Sequence, residues 1–386
     1  MLRNRVLLVL AIAGFAAALG LPFLTHAANR LVSGMPMGLV TILEERPVWA
    51  FPLLLPAMAL LVASFLPPRS AVHALAGLAA VSLLLLLSLV AGIAAQGLAA
   101  ASPPVARTSL GGGFWCAALA ASLALADALS RLRASPGAIV LCAAVVLAAL
   151  ALLLLSGALD GLALVREYAA RRDLLATAVI RHASLVLGAL VPSALAGVLL
   201  GVRAAQQRGF AAALFPVLNI VQTVPSIALF GLLLAPLSAL AHLFPRLGEL
   251  GIGGVGVVPA VIALALYALL PIARGAAEGL GNVSPAALEA GRGLGMSERQ
   301  LLWRIAFPLA LPVLLGGVRV ATIQAVGLAA VAALIGAGGL GAVMFQGLFA
   351  DALDLVLLGV IPIVLLALAV DAVFRIGIAR IQRVPR

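Results

Sequence analysis

Long apolar runs separated by short polar segments dominate the pattern along this chain. Many of the runs reach the roughly 20 residues that an α-helix needs to cross a hydrocarbon core of about 30 Å. Because lipid offers the backbone no hydrogen-bond partners, such runs must be helical. The pattern predicts an all-α integral membrane protein with about ten transmembrane helices. The predicted spans are about 5–24, 48–66, 71–95, 110–130, 137–158, 183–203, 209–240 (interrupted), 255–274, 313–337 and 355–378.

Composition supports the same class of protein. The 386 residues are 65% hydrophobic and only 10% charged, whereas soluble domains carry about 25% charged residues.

The first apolar run, VLLVLAIAGFAAALGLPFL, is longer than the 7–15 residues typical of a signal-peptide core. Thr25-His26-Ala27 does offer a small-x-Ala cleavage pattern. We expect a retained membrane anchor, with a cleaved signal as the alternative.

The net charge of +11 is carried entirely by arginine, because all 24 basic residues are arginines. A basic protein can bind nucleic acid, but here the arginines are scattered between spans rather than clustered. The bias of basic residues toward the cytoplasmic side of membrane proteins explains them better. Most arginines fall on one side if the N-terminus and the segment 289–312 are cytoplasmic. We therefore expect that orientation in the cytoplasmic (inner) membrane, a lipid bilayer environment and no nucleic-acid partner.

The segment 289–312, EAGRGLGMSERQLLWRIAFPLALP, is a polar interruption between two apolar runs. Ser284 followed by proline predicts a helix start, since serine is a favoured N-cap and proline a favoured first helical residue. Gly295 predicts a tight turn, and Ser297 with Gln300 has the spacing of a capping box for a second helix. These signals predict two short helices joined by a glycine turn. An ordinary solvated loop would show the same caps.

The sequence of this segment resembles the EAA signature of ABC importer permeases. In that family the loop docks on the ATPase subunit, and the resemblance implies that role here. The implied ATPase-coupling residues are Glu289, Ala290, Gly291, Gly295, Ser297, Ile305 and Pro308. Two positions depart from the family pattern, because Gly291 replaces an alanine and Phe307 replaces a leucine.

The same resemblance implies the organisation of the chain. Residues 176–380 are expected to form a type I ABC importer transmembrane domain that contains the coupling loop 284–312. Residues 1–165 form an N-terminal hydrophobic region of about five transmembrane helices, whose role the sequence does not indicate. A polar segment, 158–183, separates the two and is expected to be a junction with an interfacial helix.

Nothing in the sequence indicates that this chain hydrolyses nucleotide. A P-loop needs a lysine at the β- and γ-phosphates, and the chain has no lysine. The four histidines are dispersed without metal-ligand spacing. We therefore expect a transport subunit that is not an enzyme and has no catalytic residues, metal or cofactor of its own. ATP and Mg²⁺ are expected on a partner ABC ATPase subunit.

The interrupted span 209–240 holds a polar cluster within FPVLNIVQTVPSIALFGLLL. On a helix, Asn219, Gln222, Thr223 and Ser226 would share a face, with Pro225 distorting it. Polar groups at membrane depth usually face protein or a water-filled path. These five residues are the predicted gate or translocation path. The alternative is a proline kink satisfied by neighbouring hydroxyl groups.

Three further stretches narrow the resemblance to one branch of the family. QTVPSIAL, LYALLPIARGAAEGL and LIGAGGLG resemble the osmoprotectant permeases for glycine betaine, choline and carnitine, and the added N-terminal spans resemble the YehY-type betaine permeases. The resemblance implies a quaternary-amine cargo. It also implies a separate periplasmic or lipid-anchored solute-binding protein, and a second permease copy or a related permease. Amino acids or sulfonates are alternative cargoes within the same importer class.

Two other classes remain as rivals. An ion-coupled secondary transporter with a broken helix would suit the span count, but it should carry a charged relay at mid-membrane. The only deep candidate is Arg319, which the predicted spans place near a span end. The pairs Asp127–Arg131 and Asp371–Arg375 have i, i+4 spacing and are expected to be structural ion pairs. A membrane-embedded enzyme is disfavoured because no His, Cys or carboxylate cluster lies in the spans.

Overall fold

A computed structural model of the chain describes residues 3–29, 32–249 and 251–383. It divides into two compact units, Met1–Ala170 and Arg171–Arg386. The division lies inside the polar segment 158–183. Each unit has its own buried apolar core.

Among its described residues, the first unit has seven α-helices and a short 3₁₀ turn. Asn4 begins the first helix as its N-cap, because its side chain accepts a hydrogen bond from the Leu7 amide at 3.1 Å. Ser135 caps the sixth helix in the same way at the Ala138 amide, and proline follows it. The helices are α1 (Arg5–Gly20), α2 (Leu39–Glu45), α3 (Ala50–Ala63), α4 (Ser70–Ala100), α5 (Gly112–Arg131), α6 (Pro136–Leu155) and α7 (Ala163–Ala170), with the 3₁₀ turn at Pro47–Trp49.

A small antiparallel sheet is the main departure from the all-α prediction. Strands β1 (Leu24–Ala27), β2 (Met35–Met37) and β3 (Arg107–Leu110) form it in the order β2-β1-β3. The strands lie in the connections after α1 and α4, where the chain leaves its helices and the backbone must find other partners. Phe23 and Leu24 are fully buried at this point. The chain is otherwise largely helical, as predicted.

Polar side chains join α1 to α5 in the first unit. Asp127 accepts hydrogen bonds at 2.8 Å from Asn4 Nδ2 and from Arg131 Nε. Arg131 also donates to Asn4 Oδ1 at 3.0 Å. The predicted Asp127–Arg131 pair is confirmed, and Asn4 is a third partner that helix spacing could not reveal.

The described part of the second unit contains ten α-helices, and small residues allow some of the longest of them to pack closely. A Cβ built on Gly275 would lie 3.0 Å from Gly317 Cα, so glycine at both positions permits this close approach. The helices are α8 (Arg172–Gln206), α9 (Arg208–Thr223), α10 (Ser226–Leu243), α11 (Pro245–Glu249), α12 (Val257–Gly281), α13 (Pro285–Gly293), α14 (Glu298–Leu301), α15 (Phe307–Val331), α16 (Leu340–Phe349) and α17 (Leu353–Arg383).

The predicted count of ten spans is not confirmed. In the part of the chain that the structure describes, eight helices are long and apolar enough to cross a membrane, or nine if the bent pair of α2 and Pro47–Ala63 counts as one span. The predicted first span shortens to α1, whose 16 residues extend about 24 Å at 1.5 Å per residue. The eight helices are Ser70–Ala100, Gly112–Arg131, Pro136–Leu155, Arg172–Gln206, Ser226–Leu243, Val257–Gly281, Glu298–Ile335 and Leu353–Gln382.

Candidate functional site

The predicted glycine turn is present in the 284–312 segment. α13 begins after Ser284 at the N-cap position, although the serine side chain makes no capping hydrogen bond. Gly295 follows the helix with a φ of +77°, a left-handed conformation that glycine adopts without steric cost. Its amide donates to the Arg292 carbonyl at 2.9 Å, and the next amide donates to the Gly291 carbonyl at 3.2 Å. This pair of hydrogen bonds is a Schellman motif, a common way for a helix to end.

The second predicted helix starts as expected but does not end as expected. Ser297 Oγ accepts from the Gln300 amide at 3.4 Å, while Gln300 Oε1 accepts from the Ser297 amide at 2.9 Å, so the capping box is confirmed. α14 then runs without a gap through a π-helical turn, Leu302–Ala306, into α15. The prediction of a separate short helix is wrong on this point. In the π turn the Phe307 amide donates to the Leu302 carbonyl, five residues earlier. This wider turn accommodates Pro308, which has no amide hydrogen to donate.

The two arms of this helix pair (residues 285–306) pack against each other. Gly291 is buried, and a Cβ built on it would lie 2.6 Å from Ile305 Cδ1. Leu301 is 2% exposed beside it. Arg292 Nε donates to Glu298 Oε1 at 3.1 Å across the turn, and this hydrogen bond raises the pKa of Arg292 above its usual value. The pair is therefore a preformed unit held by caps, apolar packing and one exposed ion pair.

The outer surface of the helix pair combines polar and apolar groups. Glu289, Ala290 and Ser297 are exposed. Leu294 is 79% and Trp303 56% exposed. Leu294 and Trp303 were not predicted as site residues. The sequence signal for them is a large apolar residue placed among charged ones. These two side chains add apolar surface to an element whose other exposed residues are mostly polar or charged.

The interruption predicted in span 209–240 is present. α9 ends at Thr223 and α10 begins at Ser226, so Val224 and Pro225 form the break. The Tyr267 hydroxyl of α12 donates to the Val224 carbonyl. Val224 is half-buried; a carbonyl withdrawn from water without a partner is costly, and tyrosine supplies the partner here.

Gln222 connects the break to two other helices. Its Nε2 donates to the Tyr267 carbonyl of α12 at 2.5 Å. Its Oε1 accepts from Gln324 Nε2 of α15 at 3.0 Å. Gln222 and Gln324 are half-buried. α9, α12 and α15 are therefore tied together at this point by amide and hydroxyl groups.

The other members of the predicted polar cluster do not join this network. Asn219 Oδ1 accepts from Arg274 Nη2 at 3.1 Å, and Thr223 Oγ1 donates within its own helix to the Ile220 carbonyl at 2.8 Å. Pro225 is exposed and Ser226 half-buried at the start of α10. The structure thus brings Gln222 together with two residues that the sequence did not single out, Tyr267 and Gln324. Their only signal is a polar group inside an apolar run.

A charged triad joins α15 to α17. Asp371 accepts from Arg319 Nε and from Arg375 Nε, each at 2.6 Å. The predicted Asp371–Arg375 pair is confirmed. Arg319 is the central residue of α15 (Phe307–Val331), whereas the predicted span 313–337 places it near one end. The helix begins earlier than the predicted span because the sequence pattern did not show that it continues from α14. The depth of Arg319 in the membrane stays a prediction.

Two family models match the chain in succession. The first is described as ABC transporter permease YehY, N-terminal domain, and matches residues 3–165. The second is described as binding-protein-dependent transport system inner membrane component and matches residues 193–383.

Curated relatives match about half of this chain and most of their own length. The osmoprotectant import permease protein OsmW of Salmonella typhimurium is 38% identical over 51% of this chain and 86% of that protein. The choline transport system permease protein OpuBB of Bacillus subtilis is 35% identical over 51% of this chain and 83% of that protein. Among solved structures, an inward-facing MetNI methionine ABC transporter covers 55% of this chain and 98% of its own, with 23% identity and a TM-score of 0.44. The sequence matches show that this chain is a permease and belongs to the family of binding-protein-dependent transport system inner membrane components.

Proposed function

We propose that this permease imports a quaternary-amine compatible solute, such as glycine betaine or choline, across the cytoplasmic membrane. A separate ABC ATPase that binds ATP and Mg²⁺ drives import, and a separate periplasmic or lipid-anchored protein delivers the solute. This chain itself holds no cofactor. Residues 176–380 act as a type I importer domain beside a second permease copy or a related permease. The carrying observation is the 38% identity to an osmoprotectant permease over 86% of that relative.

The 285–306 helix pair is the ATPase-coupling element in this proposal. It presents Glu289, Leu294 and Trp303 on a framework that is rigid because its arms pack at Gly291 and its turn is capped. Its second arm continues into α15 without a loop. A movement that the ATPase imposes on the helix pair is therefore transmitted along α15 as a rigid-body movement. The N-terminus and the helix pair face the cytoplasm in this arrangement.

The break at Val224–Pro225 is the candidate gate. A helix interruption is a place where two segments can change their relative angle at modest cost. The hydrogen bonds from Tyr267 to Val224 and from Gln324 to Gln222 hold it in one geometry. Because Gln324 lies on α15, movement of the coupling element reaches the break through one helix. Asn219, Thr223, Pro225 and Ser226 flank this point.

Transport by the complete system tests the proposal. The permease is co-expressed with a candidate ABC ATPase and a candidate solute-binding protein and reconstituted in liposomes. We expect uptake of radiolabelled glycine betaine or choline that needs ATP inside the liposomes and stops when the ATPase carries a Walker B Glu→Gln substitution. Competition by excess amino acid or sulfonate, with none by quaternary amines, would assign the alternative cargo. Uptake without the ATPase that follows an ion gradient would overturn the importer mechanism.

A further inference from the structure

An apolar cavity lies inside the first unit, whose role the permease function does not explain. α1, α3, α4 and α5 surround it, and its volume is about 200 Å³. Every lining side chain is Leu, Ala, Gly or Phe. We propose that this cavity binds the hydrocarbon chain of a membrane lipid.

The lining of the cavity excludes water and polar ligands. A water molecule needs two to four polar partners to occupy a cavity, and an engineered cavity of about 150 Å³ lined by apolar side chains stays dry and binds apolar molecules. The present cavity is larger, and its lining, as far as the structure describes the chain, carries no polar side chain. An apolar occupant from the bilayer supplies the packing contacts that the lining side chains otherwise lack.

The shape of the cavity suits a chain rather than a compact molecule. Its wall follows α1 from Leu10 to Leu19, a length of about 14 Å at the helical rise of 1.5 Å per residue. Small residues, Gly14 on α1 and Ala117 and Ala121 on α5, provide the width. A lipid tail is long and narrow and can lie along a wall of this length.

The cavity opens on an apolar surface between α1 and α3. Phe15 and Leu19 of α1 are each 42% exposed and Leu54 of α3 is 48% exposed, although all three line the cavity. The neighbouring Phe51 and Leu55 are 72% and 61% exposed. The mouth is thus continuous with an exposed apolar face, which in a bilayer lies among acyl chains. A lipid tail reaches the cavity from there without crossing a polar region.

The fold closes one end of the cavity with a dedicated helix. α2 is bent by 117° from the segment Pro47–Ala63 and places Leu39 and Leu43 against the cavity. Leu39 is 5% exposed. Folding back a short helix creates a stop at one end while the side between α1 and α3 stays open. This arrangement fits a pocket with one entrance better than a packing defect.

Photocrosslinking of the full-length permease in nanodiscs tests the proposal. The probe is a phosphatidylcholine with a diazirine at the end of one acyl chain, and adducts are mapped by peptide mass spectrometry. We expect adducts on lining residues such as Ala18, Leu53 and Ala121, which are less than 9% exposed and which surrounding lipid does not reach. Ala121→Leu fills the cavity and should lower these adducts about tenfold or more.

A matched variant separates cavity binding from general lipid contact. Ala144→Leu makes the same change on an exposed position of α6 and should leave the adducts on the lining residues unchanged. Ala57→Leu, which fills the cavity from α3, replaces Ala121→Leu if that variant does not fold. Equal labelling of the lining residues in the filled and unfilled proteins, or labelling confined to exposed residues, would overturn the proposal. So would efficient disulfide formation between two permease copies carrying Phe15→Cys, since a second copy would then cover the mouth.

Discussion

At the scale of single residues, Tyr267 stabilises a break that Pro225 and its neighbours create. The tyrosine hydroxyl donates to the Val224 carbonyl, and the tyrosine carbonyl accepts from Gln222. Tyr267 therefore contacts the break through two groups: its side-chain hydroxyl and its backbone carbonyl. The role of the break as a gate stays a prediction, but its chemistry yields a direct stability test.

Tyr267→Phe should lower the stability of the permease. The substitution removes the donor to the half-buried Val224 carbonyl while keeping the ring, and the net loss of one such hydrogen bond is about 0.5–1.5 kcal/mol. Thermal unfolding in detergent measures the loss. Thr223→Val is the control, because its hydroxyl bonds only within α9 and the side chain is exposed. An unchanged unfolding midpoint for Tyr267→Phe would show that the hydrogen bond does not stabilise the break.

Gly295→Asp should abolish solute uptake while the protein still inserts into the membrane. Gly295 is exposed and has a φ of +77°, a conformation that favours glycine although aspartate tolerates it better than most residues, so the variant strains the turn between α13 and α14 and also places a carboxylate on the exposed coupling surface. Glu289→Lys should have the same effect on uptake by reversing an exposed charge at the coupling surface.

Gly293→Asp is the matched control for the turn. Gly293 lies two residues earlier in the last turn of α13, has open space around it and no positive φ. Uptake assays with equal amounts of membrane-inserted protein compare the variants. Normal uptake by Gly295→Asp and Glu289→Lys would contradict the docking role of the helix pair.

At the scale of elements, the helix α15 connects three features that the sequence shows separately. It continues from the helix pair through the π turn, carries Gln324 to the break and carries Arg319 to Asp371 of α17. Capping signals predicted where the helix pair begins because they act within four residues. They could not show that α14 and α15 are one continuous helix, since the π turn accommodates the proline that otherwise signals an end.

Asp371→Asn should weaken the packing of α15 on α17. The substitution leaves Arg319 and Arg375 without their carboxylate, and the side chains of Arg319 and Asp371 are only 29% and 21% exposed. Because these groups retain some solvent contact, the loss should be about 1–3 kcal/mol, below that of a fully buried pair. Unfolding midpoints in detergent measure it. Asp351→Asn is the control, as Asp351 is exposed and its positive φ suits asparagine; equal midpoints in both variants would contradict a structural role for the triad.

At the scale of the whole molecule, the orientation in the membrane is a prediction that site-specific labelling decides. In a permease whose two cysteines are replaced, Ser297→Cys should react with a membrane-impermeant maleimide only from the cytoplasmic side. Pro103→Cys should react only from the opposite side, since the positive-inside pattern places residue 103 outside. Intact cells and inverted vesicles provide the two measurements. Labelling of Ser297→Cys in intact cells would reverse the orientation and rule out docking of a cytoplasmic ATPase at the helix pair.

The span count shows what limits sequence reasoning at this scale. Hydropathy identifies apolar runs correctly, yet it treats α1 as a span although the helix ends at Gly20 and a strand follows from Leu24. It also counts α9 and α10 as parts of one interrupted span, and only the proline and polar residues place the break at Val224–Pro225. Ends and bends of helices depend on caps, prolines and packing partners that an average over about 19 residues does not resolve.

The sequence by itself determined the class of this protein, the caps and glycine turn of the helix pair, the interruption near Pro225 and the permease family. These properties depend on composition and on groups a few residues apart, so they are present before the chain folds. The tertiary structure alone decided which polar groups meet: Gln222 with Gln324, 102 residues away, and Arg319 with Asp371, 52 residues away. It also created the apolar cavity of the first unit. A hydrogen bond or a cavity depends on distances of a few ångströms between helices, and only packing sets those distances.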